Sequence, residues 1–465
     1  MVQRDAAFEI SSHLANIQYQ DLPKATVEAA KNSILDTIGV MLGASGIAPE
    51  SAQMADMVRE TGGKEESTII GFGGKVPAHM AAFVNGSMSH ALDYDDIVDE
   101  AMVHVTAPVL PAALAFAERL DNVSGKDLIT AVALGNDIVA RMGLAITRRA
   151  SGYKGDWHIT VVFGIFGATA ACGRLLNFDK DKMASALGIA LNQASGSLQM
   201  AYSTGTPLRG MYNAFPAKGG VISALMEEHG ISGPRDSLQS DCGLFELYFK
   251  GDYNPTPLTD GLGEKFEGAN VSFKTYPSCR QTHAYVDATL GIMHEQGISN
   301  KDIDEIEIIG GDISRTLCEP LEVRRSPKVS IDAKFSIPFT VALAVAKGKI
   351  ALEHFTAKGL SDPETLKVAK KVVPKYDTSL NTPSLSPAIV NIRTKSGETL
   401  SKRVDIPMGH PKNPLTPERM AEKFRDCALH SAKPIPKENA EKVIELITSL
   451  EAVDDINRIV RLLPN

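Results

Sequence analysis

Apolar residues recur at helical spacing through the first half of the chain. Val27, Ala30, Ile34, Ile38, Met41 and Leu42 share one face of a helix that starts near Pro23, a residue suited to a first helical turn. Residues 161–176 are predominantly apolar, with Gly164, Gly167, Ala168, Ala171 and Gly173 interleaved. Side chains that small let neighbouring helices approach closely, so this stretch predicts a central buried helix. Residues 181–196 and 217–229 keep the helical period. After about residue 268 the pattern changes. Ile306-Glu307-Ile308 alternates as a strand does, and Gly310-Gly311 ends it. Val390, Ile392 and Thr394 share one face of a second strand, which Lys395-Ser396-Gly397 turns back into Thr399 to Ile406. Ser336 to Lys347 reads as an apolar helix between them. Helical patterning resumes at Thr416-Pro417-Glu418, a capping threonine with proline in the first turn. The predicted architecture is mainly α with an inserted α+β domain. A large all-helical domain spans 1–268 and 404–465, and a smaller α/β lid domain spans 269–403.

The chain has 465 residues, too many for one ordinary core, which agrees with two domains. Apolar residues at 43% and charged residues at 22% give the balance of a soluble globular protein. The net charge is −8 and no basic run occurs, so nucleic acid is not an expected partner. No N-terminal segment joins a basic start to a continuous apolar run, and no apolar stretch reaches the ~20 residues that span a bilayer. Neither a secretory leader nor a membrane partner is therefore expected. Cys172, Cys242, Cys279, Cys318 and Cys427 are scattered and include no C-x-x-C pair. A disulfide framework, a zinc site and an iron–sulfur cluster all lack their spacing, and a cytoplasmic location is expected.

The densest run of titratable groups is His90-Ala91-Leu92-Asp93-Tyr94-Asp95-Asp96 with His104, about four helical turns of sequence. Apolar residues flank it on both sides, Met80 to Val84 and Val105 to Phe116. Charged groups are rarely carried toward a core unless paired or functional, so a proton-transfer site is expected here. Asp93, three residues from His90, is expected on the same helical face. Asp95, Asp96, Asp99 and Glu100 read as a solvated helix end. Four more segments bear chemistry: Gly155-Asp156-Trp157-His158-Ile159-Thr160, Pro207 to Asn213 around Arg209, Lys274-Thr275-Tyr276-Pro277-Ser278-Cys279 with His283, and Lys334-Phe335-Ser336-Ile337-Pro338-Phe339. His13, His79, His229, His294, His354, His410 and His430 lie outside them and read as structural or surface residues. Gly71-Phe72-Gly73-Gly74-Lys75 lacks phosphate-loop spacing and reads as a turn.

Taken together, these segments resemble the MmgE/PrpD family over nearly the whole chain. The His90 segment is similar to its H-x-x-D-[FY]-D-D run with a downstream histidine, and the His158 segment to its G-x-H-x-T entry into a Gly/Ala helix. Lys274 to Cys279 resembles its K-x-[FY]-P-x-[CH] segment, and Phe335 to Phe339 its F-S-x-P-[YF] segment. The resemblance implies a helical domain with an inserted lid, a homodimer, and a site between the domains that needs no metal or organic cofactor. It also implies a small di- or tricarboxylate substrate. The reading it favours is a lyase of the 2-methylcitrate dehydratase type. An epimerase of the iminodisuccinate type and a decarboxylase of the cis-aconitate type are its alternatives. Decarboxylase-type members have Thr at Ile97, His at Cys279, Lys near Arg209 and Tyr at Phe339 of this sequence. Loss of the phenol at Phe339 removes a proton donor and sets decarboxylation behind dehydration.

All these reactions build negative charge beside a carboxylate, which calls for a base that titrates near neutrality and for cations. Histidines supply the first, so His104 and His158 are the expected proton carriers. Lys274 is expected to meet developing charge, and Asp93 to orient a neighbouring base. Arg209, which binds carboxylates bidentately, is expected on the substrate with Cys279, His283 and His90. A metal-dependent hydrolase using His90, Asp93, Asp96 and His104 would lack a recognised ligand spacing. The alternative outside catalysis is a carboxylate-binding protein.

Overall fold

The computed structural model describes residues 5–147, 155–202 and 205–464. It is mainly helical with small sheets. The largest hydrophobic core draws on Ala6 to Val271 and on Phe424 to Leu463, with Leu352 added. Two smaller cores lie within Tyr276 to Ile392.

At the centre of the large core is the Ile159–Leu175 helix, in which every residue but Arg174 is buried. The Thr106–Leu120, Gly125–Thr147 and Ala214–Glu228 helices pack around it. The interleaved small residues act as expected. A Cβ on Gly164 would lie 2.8 Å from the Pro108 ring, and one on Gly167 would lie 2.4 Å from Val139 and 2.7 Å from the Gly135 carbonyl. Buried Phe163 and Phe166 each contribute roughly 1.5–3 kcal/mol by leaving water. The Lys24–Ile47 helix begins directly after Pro23 and is buried all round from Ser33 to Ser45, more than the single apolar face predicted. It packs on the C-terminal Pro417–Leu429 helix, whose Phe424 and Cys427 lie over Gly39 and Gly43. Thr416 caps that helix by accepting from the Arg419 amide, as its sequence predicts.

The Gly125–Thr147 helix corrects one expectation. It is long and apolar enough, by length and composition, to cross a membrane, yet its most apolar window is wholly buried within the protein. Inside it Arg141 Nε donates to Asp137 at 2.7 Å, a pair that is 1% exposed on both sides.

The larger sheet has four strands in the order Val372–Tyr376, Ile303–Gly310, Ala388–Thr394, Thr399–Val404. The first pair is parallel and the other two are antiparallel. Ile306 and Ile308 stand opposite Ile392 and Val390, and this apolar face packs on the His283–Gln296 and Ile337–Lys347 helices. The hairpin turns at Gly397 (φ 92°), where the sequence placed it. The Val372–Tyr376 strand is not among those the sequence predicts; its Pro374 is tolerated because the strand lies at the sheet edge, where the missing amide costs no ladder bond. Gly71, Gly73 and Gly74, all at positive φ, form the expected turn, here between the paired segments Ser67–Thr68 and Lys75–Val76.

Candidate active site

The Ala78–Ala91 helix ends just before the carboxylate run. Asp93 takes a left-handed conformation (φ 50°), with its amide on the His90 carbonyl at 2.8 Å, and the chain then runs as a loop to the Thr106–Leu120 helix. The expected helical face shared by His90 and Asp93 therefore does not form. The turn nevertheless leaves His90 Nε2 3.8 Å from Asp93 Oδ1.

The loop's carboxylates are not a solvated helix end. Asp95 and Asp96 are fully buried, Asp99 is 7% exposed, and of the four only Glu100 is exposed. Each buried carboxylate has partners, and those of Asp96 and Asp99 include residues remote in sequence. Asp96 accepts from Thr106 Oγ1 (2.6 Å) and from Ser33 Oγ (2.7 Å) on the first long helix. Asp99 accepts from Ser272 Oγ (2.6 Å) and lies 3.3 Å from Arg280 Nε. Asp95 lies 2.7 Å from His90 Nδ1 and 3.0 Å from His104 Nδ1.

These contacts fix the protons. Burial would raise the Asp95 carboxyl, but His104 and His90 outweigh it and hold the group well below the usual carboxylate range. An ionised carboxylate only accepts, so both Nδ1 atoms carry hydrogen. Burial lowers the His90 imidazole below its ordinary value, so its Nε2 is a lone pair that accepts from the Tyr212 hydroxyl at 2.8 Å. His104 Nδ1 faces Asp95 and the Asp96 carbonyl, which leaves Nε2 as its free nitrogen. Burial, reinforced by His90, His104 and Arg209, pushes His158 down to about 3, so it stays neutral and is a weak base.

His158 stands at the N-cap position of the central helix without a side-chain cap, and Thr160 in that helix accepts from the His104 amide at 3.1 Å. Across from them Lys274 Nζ donates to Asp93 Oδ1 at 2.5 Å and to the Asp93 carbonyl at 3.0 Å. Burial opposes the Lys274 charge, but Asp93 and Asp95 outweigh it and raise the ammonium above its ordinary value. Lys423 of the C-terminal helix ties this ensemble together, donating to the carbonyls of Tyr94 (2.7 Å) and Lys274 (3.0 Å) and pairing with Asp36 at 2.6 Å.

A cavity of about 230 Å³ is lined by His90, Asp93, His104, His158, Arg209 and Lys274. Tyr212, Cys279, Arg280 and Phe335 also line it, and the Arg209 guanidinium stacks 3.6 Å over the Phe335 ring. A larger cavity, about 440 Å³, adjoins Ala91 and Lys334 but contains none of the histidines. The titratable cluster therefore belongs to the smaller one. Three buried atoms of residues lining the smaller cavity have no hydrogen-bond partner among the described residues: Asp93 Oδ2, His158 Nδ1 and Arg280 Nη2.

Residues 9–256 match the MmgE/PrpD N-terminal domain, and residues 276–451 match the MmgE/PrpD C-terminal domain. The chain belongs to the MmgE/PrpD family. Among its curated MmgE/PrpD relatives, a cis-aconitate decarboxylase of Aspergillus terreus is 28% identical over 482 residues, covering 98% of this chain and 95% of its own. The cis-aconitate decarboxylase of Mus musculus is 25% identical over 470 residues, covering 100% and 94%. A cis-aconitate decarboxylase-like protein of Aspergillus oryzae is 25% identical over 474 residues, covering 98% and 96%.

Of the residues singled out from sequence, His104, His158, Asp93, Lys274, Arg209, Cys279 and His90 meet at this one cavity. His283 does not line it. Its Nε2–H donates to the Ser278 carbonyl (3.2 Å) and its Nδ1 faces Arg280 Nη1 (3.4 Å), so it lies one layer behind. Burial pushes the Cys279 thiol up to about 11, which leaves a neutral thiol in the wall. Phe339 packs near Phe355 in the core and does not line the cavity, unlike Ile97, Cys279 and Arg209 among the MmgE/PrpD departures. His90, Asp95 and His104 offer ligand atoms within 4.8 Å of one another, but the two Nδ1–H groups already hold the carboxylate, so a cation would compete with two protons. Sequence reasoning passed over Tyr212, Arg280 and Lys334. Each lies inside or beside a segment it had marked, but the partners that give them meaning are remote.

Proposed function

We propose that this MmgE/PrpD protein is a cofactor-independent lyase of a small tricarboxylate, with residues 269–403 serving as a lid over a helical body of 1–268 and 404–465. The observation that carries this reading is the three cations, Lys274, Arg209 and Arg280, that line one cavity with His104 and with the buried, unpartnered atoms Asp93 Oδ2 and His158 Nδ1. Buried polar atoms without partners cost free energy that a bound ligand returns. Cations in a low-dielectric cleft suit carboxylates.

Decarboxylation of a cis-aconitate-like acid is the favoured reaction. The relatives named above carry that activity in their names, and the argument against it from Phe339 lapses once that ring lies in the core. The bond from the methylene carbon to its carboxylate breaks, carbon dioxide leaves, and the electron pair moves through the adjacent double bond onto the far alkene carbon, whose own carboxylate shares the charge. Lys274 faces that charge, Arg209 holds a spectator carboxylate, and His104, having taken a proton from solvent at Nε2, delivers it to the far alkene carbon as the double bond shifts. His104 then regains its proton from solvent. Dehydration, with His104 instead removing a proton from carbon and Lys274 protonating the leaving hydroxide, uses the same groups.

The test is a panel of cis-aconitate, citrate and 2-methylcitrate, followed by NMR and carbon dioxide release. Release of carbon dioxide from the unsaturated acid is expected. Water loss from the hydroxy acids alone would move the assignment to dehydratase, and no turnover of any of them would overturn the reading.

A further inference from the structure

The geometry points to Arg280 as the residue that reads a third carboxylate, an inference that rests on the tricarboxylate reading above. Its side chain is 4% exposed and lines the cavity. The guanidinium is held on three sides. Nε lies 3.3 Å from Asp99 Oδ2, and Nη1 donates to the Met408 carbonyl at 3.0 Å and toward His283 Nδ1 at 3.4 Å. The His283 tautomer is consistent with this, because its Nε2–H is used on the Ser278 carbonyl and Nδ1 is left to accept. Burial and the Arg280 charge both lower His283, so the ring stays neutral beside the cation. Nη2, with two N–H groups, is buried and has no partner among the described residues.

A guanidinium fixed at Nε and Nη1 has lost the freedom to turn its last nitrogen elsewhere. The supports come from separate stretches of chain: Asp99 from the loop after Asp93, Met408 from the return to the C-terminal helices, and His283 from the helix behind. Three remote supports on a side chain with one unpaired edge describe a preformed donor for an anion. Asp99 already offsets part of the Arg280 charge. The selectivity therefore lies in hydrogen-bond geometry: a ligand lacking the matching carboxylate leaves both Nη2 hydrogens buried and unpaired. Arg209 and Lys274 serve two carboxylates, and Arg280 discriminates a substrate with a third.

Calorimetric titration tests this without requiring turnover. The probes are propane-1,2,3-tricarboxylate and glutarate, which is the same five-carbon chain without the central carboxylate. The wild type should bind the tricarboxylate about 10- to 100-fold more tightly, the worth of a charged hydrogen bond. Arg280→Gln and Arg280→Lys should each reduce that preference to within about three-fold while leaving glutarate affinity within about three-fold of wild type. The lysine variant retains a positive charge opposite Asp99 and guards against a folding defect in the glutamine variant, which circular dichroism would reveal. Equal wild-type affinity for the two acids, no binding of either, or a preference that survives in a folded variant would each overturn the inference. An absence of lyase activity would overturn the proposed reaction and leave this binding test standing.

Discussion

Replacing Asp95 by asparagine removes one charge and turns one acceptor into a donor without changing shape. The carboxylate receives Nδ1–H from His90 at 2.7 Å, lies 3.0 Å from His104 Nδ1, and is fully buried. An amide oxygen satisfies only one of the two nitrogens. If it keeps the shorter His90 contact, the amide NH₂ faces His104 Nδ1, donor against donor. His104 then loses the carboxylate that stabilises its imidazolium, and its neutral form is drawn toward the tautomer with hydrogen on Nε2. In a serine-protease triad the same exchange costs ~10⁴ in kcat. Here the Asp96 carbonyl, 2.9 Å from His104 Nδ1, still holds that hydrogen in place. The expected loss is therefore smaller, about 10²–10³ in kcat, or roughly 2.7–4.1 kcal/mol in the barrier. KM should stay within about three-fold, because Asp95 does not line the cavity. Initial-rate kinetics on the acid that the wild type converts, with thermal midpoints to confirm folding, give the answer. In a His104→Ala background the same exchange should cost little, since the two residues act as one unit. A kcat within about three-fold of wild type, in a folded single variant, would refute the reasoning.

Other predictions follow from the same geometry. Arg209→Ala should chiefly raise KM, and Lys274→Ala should chiefly lower kcat; steady-state constants for both variants check the division of roles. Lys274→Ala also leaves buried Asp93 without its cation and should cost about 3–5 kcal/mol of stability in denaturant titration. Burial, opposed by Lys423 but aided by Asp96 and Asp95, pushes the Asp36 carboxyl up to about 7. The folded state then binds the proton more tightly than the unfolded chain. Asp36's contribution is thus fully present below the unfolded pKa near 3.9 and fades as pH rises through about 7. Asp36→Asn should flatten stability across that window, and an unchanged pH slope would count against it. With its thiol at about 11, Cys279 should react slowly with iodoacetamide at pH 7, and mass spectrometry of the labelled protein reads this directly.

The sequence was most informative where physical cause is local. Glycine spacing in the Ile159–Leu175 helix, the threonine cap at Thr416 and the turn at Gly397 each follow from a few adjacent residues, and each lies where expected. It misled at Asp95, Asp96 and Asp99. A carboxylate run beside helix-forming residues reads as a solvated end, and nothing nearby announces that Ser33, Ser272 and Arg280 wait to receive it. The left-handed turn at Asp93 was hidden for the same reason. It is held by Lys274, and Lys334 donates to the Ala91 carbonyl at 2.9 Å just before it. Burial drives Lys334 down to about 8, against the pull of Asp93 and Glu50, a buried position that the flanking Phe335-Ser336 pattern gave no reason to suspect.

Deuterium incorporation tests the central claim, proton transfer at this cavity without a cofactor, most directly. Chelator-treated wild-type protein and His104→Ala are incubated with cis-aconitate in deuterated water, and the product is read by NMR. The account predicts one carbon-bound deuterium per product molecule, on the former alkene carbon that takes up the proton, in the wild-type reaction, at a rate the chelator leaves unchanged. It predicts a rate lower by about 10²–10⁴ for a folded His104→Ala. Equal rates in the two proteins, or wild-type activity that disappears with the chelator and returns with a divalent cation, would contradict it.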